Sequence, residues 1–181
     1  MSYVGAFIRC LILVIFLVAI VSKIRDRRRF HEFVDSVAAL RLLPARMVRP
    51  AAVTVVAAEL AVCALLVSLP APSLMAGGLG LAGALLGGFA VTIATALRRG
   101  VTASCRCFGG SASVPFGWLH VIRNAALALI SLLGVYAVLW QPNTNLGSVA
   151  ITAPFALLVA ALTIRLDDVV NLVTPISTSG R

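Results

Sequence analysis

Residues 4–21 decide the fold: they read VGAFIRCLILVIFLVAIV, and residues 23–29, which follow, read KIRDRRR. An apolar run of this length is typical of a helix that spans a bilayer. The basic cluster follows the run instead of preceding it, which is the reverse of a secretory signal peptide. We therefore predict an uncleaved membrane anchor whose N-terminus lies outside.

The composition of the whole chain also indicates a membrane protein. Of the 181 residues, 61% are hydrophobic and 12% are charged, and the mean hydropathy is +1.06. A soluble domain carries roughly twice that charged fraction. Three more long apolar runs and a shorter one follow the first. The predicted fold class is all-α, a polytopic membrane helix bundle of four core transmembrane helices plus a fifth, with the later spans at Ala51–Leu69, Leu74–Leu97, Phe116–Trp140 and Val149–Ile164.

The segment 24–49 between the first two runs predicts an amphipathic helix. Phe30, Phe33 and Val37 recur at helical spacing, while His31 and Glu32 belong to the opposite face. Such a helix is expected to lie in the membrane interface, and the sequence Leu-Leu-Pro at 42–44 is expected to end it.

The net charge of +9 is unevenly distributed, which indicates membrane orientation and not nucleic-acid binding. Aromatic residues do not alternate with the basic ones, as they do in many nucleic-acid-binding surfaces. The loops after the first and third spans hold eight and three basic residues, and those after the second and fourth hold none. We expect the protein to lie in the inner membrane of the cell. The positive-inside rule then predicts that Lys23–Arg49 and the loop after the third span face the cytoplasm.

The first two predicted spans each contain one charged residue. Arg9 lies in the first and Glu59 in the second. An intramembrane charge is costly, so it usually faces the bundle or a polar cavity. Arg9 either pairs with Glu59 or snorkels to the outer headgroups. Glu59 either pairs with Arg9 or is protonated and bonded to a neighbouring helix.

The loop between the third and fourth spans carries the strongest chemical signal, Ser-Cys-Arg-Cys-Phe-Gly-Gly at 104–110. Only a thiolate attacks a disulfide or binds metal, and the positive charges of Arg106 and Arg123 favour the thiolate form. Cys105 and Cys107 are therefore candidates for thiol–disulfide exchange. Two inert thiols, or a metal half-site with His120 as third ligand, are the alternatives.

The helix after this loop places His120, Arg123, Asn124 and Leu127 on one face, from which His120 and Arg123 could support the thiolate or shuttle protons. The other two cysteines, Cys10 and Cys63, fall at equal predicted depth near the outer ends of their spans. They either form a second thiol pair or fill space as small apolar residues.

Several of these elements together resemble the methylamine utilisation protein MauE family, which is related to the DoxX-like membrane proteins. The resemblance covers about residues 4–140, and Cys-Arg-Cys-Phe-Gly is its most specific part. The region from 141 to 181, a further apolar helix and a polar tail, lies beyond this four-helix domain of residues 1–140. The matching residues are Lys23, Leu42, Leu43, Pro44, Glu59, Cys105, Cys107, Phe108 and Gly109, with Arg123 and Asn124 in the next helix.

The resemblance implies a role in methylamine metabolism. It implies maturation of methylamine dehydrogenase, through disulfide formation or export of its small subunit, alongside a thioredoxin-like or methylamine dehydrogenase-type partner. No metal or other cofactor is expected, and the lipid bilayer is the expected surrounding. A non-catalytic assembly factor or chaperone that grips a client through its amphipathic segment is the main alternative, and a small-solute or metal transporter is a weaker one.

Overall fold

A computed structural model of the chain describes residues 2–68, 71–101, 117–140 and 146–173. This part of the protein contains six helices and no strand. In chain order the helices are α1 Ser2–Ile24, α2 Arg27–Ala39, α3 Ala45–Val67, α4 Pro72–Arg98, α5 Trp118–Trp140 and α6 Leu146–Val173.

Five of the helices in the described ranges are long and apolar enough to cross a membrane, α2 being the exception. The predicted fold class, a polytopic helix bundle with five spans and a short amphipathic helix after the first, is confirmed. One boundary differs clearly. The sequence suggested a polar tail from Arg165, but α6 continues to Val173.

α1 lies at the centre of the bundle, where it contacts α3, α5 and α6 extensively and α4 slightly. A buried stripe along α1 explains this position, because its members recur every three or four residues and so share one face. The stripe includes Ile8, Ile12, Ile15, Ala19 and Lys23.

Two glycines allow close packing around this centre. A Cβ added at Gly134 of α5 would lie 2.7 Å from Cγ2 of Ile8, and one added at Gly78 of α4 would lie 2.9 Å from Cβ of Leu65. A Cβ added at Gly83 would meet α5 at ordinary contact distance, whereas one added at Gly87 would meet nothing within 4 Å.

The amphipathic helix α2 packs its apolar side against α3. Phe33 is buried there with Ala52 and Val56, and Phe30 packs at the edge of the same cluster. The helix ends at Ala39, before the predicted Leu-Leu-Pro stop. A residue with positive φ, Arg41 (52°), turns the chain, and Pro44 then precedes the first residue of α3.

Gly100 terminates α4 and directs the chain into the segment 102–116. Its φ is +69°, a backbone conformation that side chains with a Cβ rarely adopt. The N–H of Gly100 donates to the carbonyl of Leu97, and the N–H of Val101 donates to that of Ala96. This is the Schellman arrangement, which satisfies the last carbonyls of a helix.

Candidate functional site

A buried ion pair joins α1 to α3. Nζ of Lys23 donates to Oε1 of Glu59, and the two side chains are only 3% and 2% exposed. The sequence suggested Arg9 as the partner of Glu59, or else a protonated glutamate bonded to a neighbouring helix. The Arg9 pairing is wrong, because the end of α1 brings Lys23 and not Arg9 to the carboxylate. Lys23 was also counted among the basic residues of the cytoplasmic segment Lys23–Arg49, but its side chain is buried within the bundle.

Two aromatic rings complete the surroundings of the lysine. Its Nζ lies 4.9 Å from the ring centroid of Phe33 in α2 and 5.9 Å from that of Phe89 in α4. Both distances are in the range of cation–π attraction. One amine therefore contacts three helices besides its own, while Oε2 of Glu59 is buried and has no hydrogen-bond partner among the described residues.

Arg9 caps the C-terminal end of α3. Its Nε donates to the carbonyl oxygen of Leu66 at 2.7 Å, and its Nη2 donates to that of Val67 at 3.4 Å. The last carbonyls of a helix lack partners within the helix and carry partial negative charge, so a cation is favourable there. Arg9 is 6% exposed. It therefore faces the bundle and does not snorkel to the headgroups.

The structure shows no disulfide between Cys10 and Cys63, since both are free cysteines. Cys63 is buried in the apolar core, one turn from Glu59, and Cys10 packs at the edge of the same cluster. A redox role for this second pair remains a prediction.

The polar residues of α5 form one buried face, as their spacing predicts. His120, Arg123, Asn124 and Leu127 are all less than 10% exposed. Nδ2 of Asn124 donates to the carbonyl of His120 at 2.8 Å, while Oδ1 of Asn124 is buried without a hydrogen-bond partner in the described parts of the chain. A buried run of this kind within a membrane helix marks a functional region by default.

The helix register places this polar face level with the ion pair. α4 and α5 run antiparallel, with Gly83 beside Ala128 and Gly134 beside Leu79. Continuing that register sets residues 122–124 opposite Phe89, whose ring faces the lysine amine. The ion pair and the polar face thus occupy the same depth, at the end of the bundle where α4 ends and α5 begins.

Cys105 and Cys107 lie in the segment that joins these two helix ends, outside the described residues. Their predicted exchange with the support of Arg123 and His120 stays a prediction. Among the described residues there is no group of three or more histidine, cysteine, aspartate or glutamate side chains that could hold a metal ion.

Comparison with known proteins gives one match. The family model described as "Methylamine utilisation protein MauE" matches residues 1–137, a range that includes α1 to α4 and nearly all of α5. Neither the curated proteins nor the solved structures gave a match. The match takes in the ion pair, the Cys-Arg-Cys-Phe-Gly segment and the polar face of α5. This multi-pass membrane protein therefore belongs to the methylamine utilisation protein MauE family.

Proposed function

We propose that this protein supports the maturation of methylamine dehydrogenase by thiol–disulfide exchange through Cys105 and Cys107. Its family relates it to methylamine utilisation. The observation that carries the more specific proposal is the buried polar face of α5, which begins at His120, four residues after the segment containing the cysteines ends. A membrane bundle needs no arginine and histidine buried together for packing alone, since such residues are expensive within spans.

The chemistry follows from the residue types. A permanently charged guanidinium such as that of Arg123 favours a nearby thiolate over the neutral thiol. In the exchange, the thiolate of one cysteine attacks a disulfide of a thioredoxin-like partner and forms a mixed disulfide. The second cysteine then displaces the partner sulfur. Cys105 and Cys107 become joined by a disulfide, and the partner gains two electrons and two protons as a dithiol, which can then break and re-form wrongly paired disulfides of the small subunit. A cytoplasmic dithiol reduces the Cys105–Cys107 disulfide again by the same two-step exchange.

The alternative of a non-catalytic assembly factor loses part of its basis. It would use the apolar side of α2 to grip a client, but that side already packs against α3 through Phe33. A client could bind there only after α2 had left α3.

The test replaces both loop cysteines with serine and compares the result with a matched removal of two thiols elsewhere. In cells that depend on methylamine dehydrogenase, Cys105→Ser with Cys107→Ser is expected to abolish correctly disulfide-bonded small subunit. Cys10→Ser with Cys63→Ser is expected to retain it. The disulfides are counted by mass spectrometry after blocking free thiols, and the amount of protein in the membrane is measured in parallel.

Single substitutions reveal the intermediate. With the resolving cysteine replaced, the mixed disulfide should persist and be recovered as a covalent complex with the partner. Normal small-subunit disulfides in the double loop variant would reject the exchange mechanism and favour the assembly role.

The side of the membrane is tested separately. In the Cys10→Ser, Cys63→Ser background the loop cysteines are the remaining thiols. A membrane-impermeant maleimide added to intact cells should leave them unlabelled and should label them after the membrane is opened, as the positive-inside rule predicts.

A further inference from the structure

A groove with an apolar floor and a basic mouth lies where α1 ends. Its described lining consists of Leu17, Val18, Val21, Ser22, Arg25 and Arg29, and its volume is about 350 Å³. A cavity of this size lies within the usual range of small-molecule sites.

The lining is divided by depth. Leu17 and Val21 lie on an exposed face of the membrane-spanning helix α1, and their side chains are 44% and 57% exposed. Arg25 follows one turn beyond Val21, in the short turn before α2, and Arg29 comes from the first turn of α2. The distance from Leu17 to Arg25 along a helix is ~12 Å. That is most of the ~15 Å thickness of one hydrocarbon leaflet.

The charges at the mouth of the groove favour an anionic ligand. Arg25 makes no ion pair within the described residues, and no acidic side chain belongs to the described lining. Nη1 of Arg29 lies 3.7 Å from Oε2 of Glu32, and Nε of Arg28 lies 3.1 Å from Oε1 of the same residue. This single carboxylate therefore faces two cations. Asp26, in the same turn, accepts from the backbone N–H of Arg29 through Oδ1. Three arginines at positions 25, 28 and 29 still outnumber the carboxylates of Asp26 and Glu32, so the mouth keeps an excess of positive charge.

We propose that this groove binds one anionic phospholipid of the surrounding bilayer. The guanidinium groups of Arg25 and Arg29 hold the headgroup phosphate, because arginine matches the geometry of phosphate oxygens with paired N–H donors. An acyl chain lies along Leu17, Val18 and Val21, on a face of α1 that its helix partners leave open. The site is independent of thiol chemistry, since it lies at the α1–α2 turn and contains no cysteine.

The test measures lipid binding to the purified full-length protein in detergent by native mass spectrometry. Phosphatidylglycerol is titrated against phosphatidylcholine with the same acyl chains. We expect Arg25→Gln with Arg29→Gln to weaken phosphatidylglycerol binding about 25-fold, at about fivefold for each charge. Binding of phosphatidylcholine, whose choline cation balances the phosphate charge, should weaken much less.

The control removes the same charge outside the groove. Arg41→Gln with Arg46→Gln should weaken binding less than threefold, since both side chains are exposed and neither lines the groove. An equal loss in the two double variants would overturn the proposal in favour of a diffuse electrostatic attraction.

A second pair of variants tests the apolar floor. Val18→Trp should fill the groove and weaken phosphatidylglycerol binding at least tenfold without altering charge. Val53→Trp, on an exposed position of α3, should not. Inorganic phosphate and glycerol phosphate should fail to compete at equal concentration. Effective competition by either, or wild-type binding by Val18→Trp, would show a phosphate site without a lipid chain and would overturn the proposal.

Discussion

Breaking the ion pair between Lys23 and Glu59 should destabilise the bundle more than any exposed charge substitution. Glu59→Gln leaves the lysine ammonium buried without its anion, at a side-chain exposure of 3%. Removing one partner of a buried pair typically costs about 3–5 kcal/mol of unfolding free energy. Cation–π contact with Phe33 and Phe89 offsets only part of that, about 1–2 kcal/mol. We therefore expect Glu59→Gln to cost about 1–4 kcal/mol.

The assay is reversible unfolding in mixed detergent with increasing dodecyl sulfate, followed by far-ultraviolet circular dichroism. The matched control is Glu32→Gln on α2, where the carboxylate accepts from the exposed Arg28 at 3.1 Å. Exposed pairs of this kind contribute about 0.3–0.5 kcal/mol. Replacing both members of the buried pair, by Lys23→Met with Glu59→Leu, should recover most of the loss because no lone charge remains.

A double-mutant cycle distinguishes the observed partner from the one that the sequence suggested. Lys23→Met and Glu59→Gln should be coupled by about 2 kcal/mol, whereas Arg9→Met and Glu59→Gln should be additive within about 0.5 kcal/mol. Coupling of Glu59 to Arg9 and not to Lys23 would refute the observed pairing. A Glu59→Gln variant as stable as Glu32→Gln would refute the energetic reasoning.

Two further predictions use the same unfolding assay. Gly134→Ala should lower the free energy of unfolding by about 1–3 kcal/mol, because its new Cβ would lie 2.7 Å from Cγ2 of Ile8. Gly87→Ala, which has open space around it, should raise that free energy by about 0.5–1 kcal/mol. Equal effects of the two substitutions would contradict the packing described at α5. Arg9→Met should cost about 1.5–3 kcal/mol by leaving the carbonyls of Leu66 and Val67 without their charged donor, with Arg46→Met as a silent control, and a silent Arg9→Met would show that water replaces the contact.

The membrane spans could be predicted from the sequence because each is a continuous apolar run whose length alone indicates a bilayer crossing. The buried face of α5 could be predicted for a similar reason, since helical spacing brings His120, Arg123 and Asn124 to one side. Both features depend only on residues that are close together in the chain.

The partner of Glu59 could not be predicted in this way, because it depends on which helices pack together. The basic segment Lys23–Arg49 suggested that Lys23 belongs to the cytoplasmic loop. One available signal pointed elsewhere: Lys23 continues the three-and-four spacing of Ile12, Ile15 and Ala19, so it belongs to the buried stripe of α1. Close contacts at glycines could not be predicted for the same reason. The sequence shows where two helices can pack closely, but only the fold shows where they do.

The two buried cations of α1 have a consequence for biogenesis. The ribosome delivers this helix before α3, and the carboxylate partner of Lys23 follows 36 residues after it. At typical rates of synthesis that interval is about 2–7 s. During it the nascent segment carries Arg9 and Lys23 with neither an anion nor free carbonyls to receive them. The insertion machinery must therefore keep α1 away from the lipid, or near water, until α3 is inserted and supplies the partners of the two cations.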